Sequence, residues 1–384
     1  MPFDCRYRRR FGPSACLDDC LATREPARFE FVRVEHPEDI PPPDSRMIDV
    51  ALLDMHHGWP NLGHPAIVHA VQNAVCDARA EMDAAGIRVR VLSYDVRRSL
   101  MLPDGPAGRH TLYIGTGGPG HLDPRHNDGV SEGSQGINED PSWEPRLFAL
   151  FDEIREDDRA ALLGVCHSFG VMCRWLGIAD AVLRGPEKGG KSAGLTQNVL
   201  SLEARRHPWF SRFAEELPDS CRYRLLDNRL YDLIPRPGFE HVATPIGWEM
   251  GEDCGPGEAL TMVEAARDHT GQMPRIFAVN HHPEVVNRPR LLTILLQKRD
   301  RGEVSEDDQW FQERLRGLTE PVANDAEDRE LFLTSSYTFL GPLRFYLYRL
   351  LRERAEALGT PIPLHEERTP IAYSLLHESL PLAR

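Results

Sequence analysis

The chain is predicted to be an α/β protein with a mostly parallel, doubly wound sheet and an appended C-terminal helical region. Short apolar runs at 48–54, 161–165 and 275–279 are typical of strands that are buried on both faces. Between the first run and an alternating stretch at 88–94, apolar residues recur at helical spacing. A strand, a helix and a further strand in this order are typical of parallel sheets.

The elements begin after an accessory arm, residues 1–46, which ends in an acidic, proline-rich linker. The first core strand is followed by a helix from Pro65 to about Gly86, and a glycine is a common helix end. A strand at 111–116 then leads into a glycine-rich turn. A short amphipathic helix is predicted at 143–154.

Residues 47–287 are predicted to form the main domain, and residues 288–384 a C-terminal helical extension. Helices are expected at 291–301, 305–318 and 342–358. The last of them carries a stripe of leucines, with its arginines mostly off that stripe. We expect these helices to pack on the main domain and to contribute some contact with a second copy of the chain.

Composition and charge exclude several classes of protein. The formal net charge of −14 argues against a general nucleic-acid binder, which needs a basic surface. No run of about 18 apolar residues occurs, so no membrane span is predicted. The eight cysteines lack paired Cys-x-x-Cys spacing, and a chain of 384 residues does not need disulfides to fold. We therefore expect a reducing, cytoplasmic location.

Cys166 is the candidate nucleophile. It follows one of the apolar strands directly and precedes a helical pattern, so it lies at a sharp turn from strand to helix. Such a turn needs small residues two positions before and after the nucleophile, and Gly164 and Ser168 meet that requirement. The N-terminus of the following helix favours the thiolate, which is the attacking form. For an isolated cysteine, a buried structural role would be the better interpretation.

Two further motifs supply the groups that a thiol nucleophile needs. His282 and Glu284 follow the third apolar run, and they are candidates for the general base and for the group that orients it. The strand at 111–116 runs into the sequence Gly-Gly-Pro-Gly. We expect the backbone amides of Gly118 and His167 to form an oxyanion hole.

A Gly-Gly-Pro turn, a Gly-x-Cys elbow and a His-Pro-Glu sequence, in this order, resemble the class I glutamine amidotransferase superfamily. The resemblance covers about Ile48 to Glu284 and implies the flavodoxin-like fold of that family. It also implies Cys166 as nucleophile, His282 as base and Glu284 as its orienting group. Members that hydrolyse glutamine usually continue Cys-x-Gly-His-Gln, whereas this chain has Cys166-His-Ser-Phe-Gly170. The identity of the amide substrate therefore stays open.

The loop after the first core strand is dense in side chains that bind small molecules. Ligands of doubly wound sheets bind beyond the carboxyl ends of the strands. The candidate substrate pocket consists of His56, His57, Asn61, Ser168 and Phe169. Metal binding is an alternative for two groups, namely His56, His57 and His64, and Cys5, Cys16 and Cys20. Thiol hydrolysis needs neither a metal nor a cofactor, and none is predicted.

The predicted function is that of a cysteine-dependent amide hydrolase that acts on glutamine or a γ-glutamyl-type amide through a thioester. It would act alone or as the glutaminase subunit of a pair with a synthetase or another ammonia-accepting partner. Two other classes stay open. One is a non-catalytic or regulatory binding protein with the same fold, and the other is a thiol enzyme or sensor of the related DJ-1 group.

Overall fold

The structure, a computed structural model, describes residues 28–319, 325–360 and 362. One sheet of twelve strands organises these residues. The strands are β1 (Phe29–Val34), β2 (Met47–Asp54), β3 (Arg88–Asp95), β4 (His110–Gly115), β5 (Ala161–Val165), β6 (Ala179–Leu183), β7 (Ser192–Leu200), β8 (Arg222–Arg229), β9 (Tyr231–Pro235), β10 (Thr244–Met250), β11 (Pro256–Arg267) and β12 (Pro274–Val279). The helices are α1 (Gly63–Asp77), α2 (Arg79–Ala85), α3 (Trp143–Glu156), α4 (His167–Leu176), α5 (Leu202–Arg206), α6 (Phe210–Glu216), α7 (Arg288–Asp300), α8 (Gln309–Thr319), α9 (Asp325–Ser335) and α10 (Gly341–Ala357). A π-helical segment, Ser336–Leu340, joins α9 to α10.

Half of the sheet is parallel, as the sequence predicts. Its strands stand in the order β1-β3-β2-β4-β5-β12, and every neighbouring pair is parallel. Without the edge strand β1, this is the 2-1-3-4-5 order of flavodoxin-like folds. The order reverses between β2 and β4, and ligands of such sheets bind beyond the carboxyl ends of the strands there. The predicted fold class is confirmed.

The other half of the sheet is antiparallel and continues from β12 through β11, β10 and β7 to β8. A second branch joins β6 to β9 and β9 to β11. The sequence predicts smaller strands between residues 193 and 245, but it does not predict how they pair. One result of this pairing matters for the site, because the backbone N–H of His282 donates to Leu226 O of β8 at 2.9 Å.

Helices cover both faces of the sheet. On one face, α1, α2, α5, α6 and α10 contribute to one buried cluster, which also contains the completely buried Val50 and Leu52 of β2. On the other face, α3 and α4 enclose Ala51 and Leu53. Alternate residues of β2 thus face opposite layers, which is the reason for its continuous apolar sequence.

The structure differs from the sequence prediction at three elements. Residues 29–34, which the sequence assigns to the accessory arm, form strand β1 beside β3. The predicted single helix from Pro65 to Gly86 is two helices that meet at Ala78. Helix α9, at 325–335, has no predicted counterpart.

The helices after residue 287 are packed into the main body of the molecule. In α10, Leu343 and Tyr346 belong to the same buried cluster as the strand residues of β2. The Tyr346 hydroxyl donates to Pro274 O at 3.1 Å, and Arg344 Nε lies 3.1 Å from Asp77 Oδ2. Helices α7 and α8 form a smaller apolar cluster with Leu62 at the start of α1. In the described part of the chain, no helix is long and apolar enough to cross a membrane.

Candidate active site

Cys166 occupies the sharp turn between β5 and α4 in a strained backbone conformation. Its φ is 51° and its ψ is −104°, a combination that side chains rarely adopt. Glycine is needed two residues earlier, because a Cβ at Gly164 would lie 2.8 Å from Met172 Sδ and 3.0 Å from Ala278 Cβ. Two residues later, the Ser168 hydroxyl donates to Thr116 O at 2.7 Å. The small flanking residues therefore let strand and helix approach, and Ser168 also fixes the elbow to β4.

His282 lies next to Cys166 because their strands are neighbours. Val165 of β5 pairs with Val279 of β12, and the Cys166 N–H donates to Val279 O at 2.8 Å. A Cβ at Gly117 would lie 3.1 Å from His282 Cε1 and 3.8 Å from Cys166 Sγ. The thiol and the imidazole thus face the same small space above the turn that follows β4.

Glu284 orients the imidazole ring. Nδ1 of His282 lies 2.8 Å from Glu284 Oε1, and the carboxylate side chain is completely buried. A Cβ at Gly63 would lie 2.8 Å from the same oxygen, so the carboxylate packs against the first residue of α1. The positive end of a helix dipole stabilises a negative charge there.

The charge of His282 depends on both of its neighbours. Burial disfavours the imidazolium, but the negative charges of Cys166 and Glu284 outweigh burial and hold the pKa of His282 well above its ordinary value. Both neighbours therefore favour the charged form of the His282 imidazole. This is the arrangement that a cysteine nucleophile and its base need.

The turn after β4 approaches the backbone of the neighbouring loop so closely that it requires glycine. A Cβ at Gly118 would collide with the carbonyl group of Met55. Arg97 holds both segments, since its Nη1 donates to Met55 O at 2.8 Å and to Pro119 O at 2.7 Å. The same guanidinium binds Glu139 through two hydrogen bonds of 2.8 and 2.7 Å, and both side chains are fully buried. This ion pair fixes the position of the Gly118 peptide.

Two backbone amides near Cys166 are available to a ligand. Those of Gly118 and His167 donate to no acceptor within the described part of the chain, and the latter belongs to the first turn of α4, where helix amides lack intrahelical partners. The His167 ring itself is buried, and burial together with the charge of Arg97 holds its pKa well below the ordinary value. The ring is therefore neutral, and it is the backbone of His167 that can stabilise an oxyanion.

The residues of the predicted substrate pocket take different positions. Phe169 is completely buried in the core beneath the elbow, so it cannot line an open pocket. Ser168 and Asn61 have structural hydrogen bonds, the latter accepting from His64 N at 2.8 Å near the start of α1. His57 has a positive φ of 55° and is partly buried. His56 lies near Gly63, where a Cβ would be 3.9 Å from His56 Nε2 and 2.8 Å from Glu284 Oε1.

The polar loop between β4 and α3 is tied to the glycine turn. Asn127 Oδ1 accepts from His121 N at 2.7 Å, and Gln135 Oε1 accepts from Gly120 N at 2.9 Å. Asn127 also donates to Glu139, the partner of Arg97. Local sequence patterns do not point to Arg97 or Glu139, because their contact joins residues 42 positions apart.

Among the described residues, no group of three or more His, Cys, Asp or Glu side chains is arranged to hold a metal ion. This includes His56, His57 and His64, whose proposed metal site is therefore not formed. The second candidate group, Cys5, Cys16 and Cys20, lies outside the described residues.

No protein-family model matches the chain, and no curated protein sequence matches it significantly. Among solved structures, a glutamine amidotransferase from Thermotoga maritima is similar, with 16% identity, a TM-score of 0.42 and coverage of 79% of this chain and 98% of that one. A glutamine amidotransferase from Methylobacillus flagellatus gives 14% identity, a TM-score of 0.39 and coverage of 82% and 94%. The glutaminase domain of Trypanosoma brucei CTPS with bound acivicin gives 12% identity, a TM-score of 0.36 and coverage of 62% of this chain and 86% of that one. Structures of glutamine amidotransferases are thus similar to this chain at low sequence identity.

Proposed function

We propose that the chain is a cysteine-dependent amide hydrolase of the glutamine amidotransferase type, acting on glutamine or a γ-glutamyl-type amide. The observation that carries the proposal is the strained Cys166, which faces an imidazole whose other nitrogen is bound to the buried Glu284. A structural cysteine needs neither a strained backbone nor an oriented base. Together these features match what a thiol nucleophile requires.

The reaction begins with attack of the Cys166 thiolate on the amide carbonyl. The carbonyl oxygen becomes negatively charged, and the amides of Gly118 and His167 stabilise that charge. His282 then gives its proton to the departing amine, and the carbon–nitrogen bond breaks to leave a thioester. In the second half, His282 accepts a proton from water, the hydroxide attacks the thioester, and the acid and free thiolate form.

The departing ammonia or amine has two destinations. A stand-alone hydrolase releases it into solution, and a glutaminase subunit passes it to a synthetase or another acceptor protein. The site chemistry is the same in both cases, because His282 protonates the leaving group before the thioester is hydrolysed. The two forms differ in whether a second protein is needed for full turnover.

The experiment is to measure ammonia release from L-glutamine and from γ-glutamyl amides, together with intact-mass detection of a covalent adduct with a chloroketone analogue of glutamine. We expect turnover and a single adduct, both lost in Cys166→Ala. His282→Ala should lose turnover and label slowly, while both variants keep the native circular dichroism spectrum. Normal turnover in either variant would remove this mechanism.

The pattern of labelling and turnover separates the remaining possibilities. Labelling without turnover supports a subunit that needs its partner. Absence of both with every amide tested contradicts the hydrolase proposal and favours a binding protein. A Cys166 that is isolated in an oxidised form, with no amide turnover, favours the thiol sensor.

A further inference from the structure

A second imidazole with a carboxylate partner lies near Gly63, the glycine that also packs against Glu284. At the end of β2, the Asp54 carboxylate accepts from the backbone N–H of His56 at 3.0 Å, and His56 Nδ1 lies 3.0 Å from the same oxygen. Both side chains are nearly completely buried. The pair repeats the His282 and Glu284 arrangement, in which a carboxylate fixes the tautomer and the direction of an imidazole ring.

The orientation of His56 leaves its Nε2 nitrogen for another partner. Nδ1 is held by Asp54 and also lies 3.2 Å from Thr116 Oγ1, next to the glycine turn. Nε2 makes no hydrogen bond with any side chain or backbone group of the described residues. It lies 3.9 Å from the position that a Cβ at Gly63 would take.

Glu284 has an oxygen without a donor. Oε1 is bound to His282, whereas Oε2 is buried and has no hydrogen-bond partner among the described residues. A buried carboxylate oxygen without a donor is costly, so such an atom usually has a partner. The space at Gly63 brings the two together, since a Cβ there would lie 2.8 Å from Glu284 Oε1 and 3.9 Å from His56 Nε2.

The charges around His56 support a stable orientation. Burial opposes the charge of Asp54, but the neighbouring His64 and His56 outweigh it and lower the pKa of this carboxyl strongly, so it stays ionised. Arg33 Nη2 adds a contact to Asp54 Oδ2 at 3.3 Å. His64, 3.9 Å from Asp54, is neutral because burial lowers its pKa to about 4, and its Nε2 is bound to Ser93.

We propose that His56, oriented by Asp54, is a positioning residue that holds Glu284 through one bridging water molecule. With Nδ1 directed at Asp54, the His56 Nε2 accepts from a water whose other hydrogen goes to Glu284 Oε2. The order of contacts is then Asp54, His56, water, Glu284, His282 and Cys166, and no proton has to cross it for the reaction.

The proposal rests on the proposed function for its effect on turnover, but the geometry of Cys166 and His282 can also be tested without a substrate. The rate at which iodoacetamide alkylates Cys166 reports how well the base supports the thiolate. If amide turnover is never found, the proposed function fails. The alkylation rate still tests the role of His56.

The experiment compares His56→Leu and His56→Gln, each in the native chain and in Glu284→Gln. In the native background, His56→Leu should lower kcat and the alkylation rate about tenfold, with KM unchanged. His56→Gln should retain more activity than the leucine variant, because a glutamine amide can also bind the bridging water. Asp54→Asn should lower kcat and the alkylation rate less than His56→Leu does. The exposed His241→Leu should change neither kcat nor the alkylation rate.

The double variants separate positioning from general damage to the fold. If His56 acts through Glu284, His56→Leu should cost less than twofold once Glu284 is already glutamine. Equal losses in both backgrounds, or a glutamine variant no better than leucine, would overturn the proposal. Urea unfolding of each variant identifies loss of fold, and if His56→Leu does not fold, His56→Gln and Asp54→Asn in the two backgrounds provide the same comparison.

Discussion

The proposed nucleophile and the proposed base are positioned in different ways. Cys166 is positioned by its own neighbours in sequence, since strand β5, Gly164, Ser168 and helix α4 lie within a few residues of it. The loop that carries His282 is held by distant side chains. His281 Nε2 lies 3.1 Å from Thr338 Oγ1, and the Ser335 hydroxyl donates to Pro283 O. One half of the site depends on local backbone strain, and the other depends on the C-terminal helices.

This difference shows why the helices after residue 287 matter to the site. The π-helical segment contacts the His-Pro-Glu loop on one side and helix α6 on the other, where Trp209 Nε1 donates to Tyr337 O at 2.8 Å. Gly341 follows directly, and a Cβ there would lie 2.6 Å from the Trp209 ring. The segment therefore lies between the His-Pro-Glu loop and helix α6. We expect a change in the segment to move His282 and to leave Cys166 in place.

The largest effect should come from the nucleophile half, in Gly118→Ala. The added Cβ would collide with the Met55 carbonyl and turn the amide away from the reacting oxygen. Loss of one oxyanion donor lowers kcat about 10²- to 10³-fold, which a steady-state assay with the accepted amide would measure. Gly317→Ala is the control, because a Cβ there meets nothing within 4 Å. Normal turnover in Gly118→Ala would exclude the turn from the reaction.

In the base half, Thr338→Val should reduce stability more than activity. It removes the hydroxyl that contacts His281 Nε2, and His281 Nδ1 already has no partner among the described residues. A buried imidazole without partners costs about 1–3 kcal/mol, which urea unfolding would measure. Thr319→Val, at an exposed position of α8, is the matched control. We expect turnover to fall only severalfold, and an unchanged unfolding midpoint would contradict the supporting role of the π-helical segment.

Acid should destabilise the base half through His281. Burial lowers the pKa of His281 to about 3, so the folded protein keeps this ring neutral while the unfolded chain binds a proton below about pH 6.5. The unfolding free energy therefore falls as the pH drops from about 6.5 to 3, by up to about 1.4 kcal/mol per pH unit from this residue. His281→Gln should flatten that part of the curve. An identical slope in the variant would show that His281 is not the group responsible.

The adjacent His282 should act in the opposite direction. Because its pKa is raised, its contribution to stability is complete below about pH 6.5 and is lost as the pH rises through the folded value. Two neighbouring histidines in one loop thus give opposite slopes. Comparing His281→Gln with His282→Gln across pH 4 to 9 would separate them.

A smaller effect on turnover than that of Gly118→Ala should come from Gly63→Ala, which tests the orientation of Glu284. The new methyl group would press on Oε1 of the carboxylate and displace it from His282. We expect about a tenfold loss in kcat with little change in stability, because misplacement of a catalytic contact lowers the rate while the helix start tolerates alanine. If kcat is unchanged, the carboxylate tolerates displacement and its orienting role is weaker than proposed.

The candidate site residues whose positions depend on their neighbours in sequence carry local sequence signals. The elbow at Cys166, the turn at Gly118 and the strand before His282 each carry their pattern within about ten residues. The sequence could not predict that Thr338 supports His281, or that Arg97 and Glu139 fix the turn. These pairs are 57 and 42 positions apart, and which side chains meet over such separations is decided by packing.

The same separation explains the errors in the fold. Residues 29–34 look like part of a polar arm because only their pairing with β3 makes them a strand. The predicted helices after residue 287 were found near their expected positions, but periodicity does not say against which surface a helix packs. The assignment of Phe169 to the pocket has the same limit. An apolar residue shortly after the candidate nucleophile is compatible with a buried core and with a pocket lining, and the sequence does not distinguish the two.

Helix α10 covers strands that lie much earlier in the sequence. Its Arg344 contacts Asp77, which lies 267 positions before it. At about 5–20 residues per second, a ribosome needs roughly 15 to 50 seconds to add that length. During this time the part of the apolar face that α10 covers stays exposed. We therefore expect chaperone dependence during synthesis and slow refolding from denaturant, since contacts of large sequence separation form late.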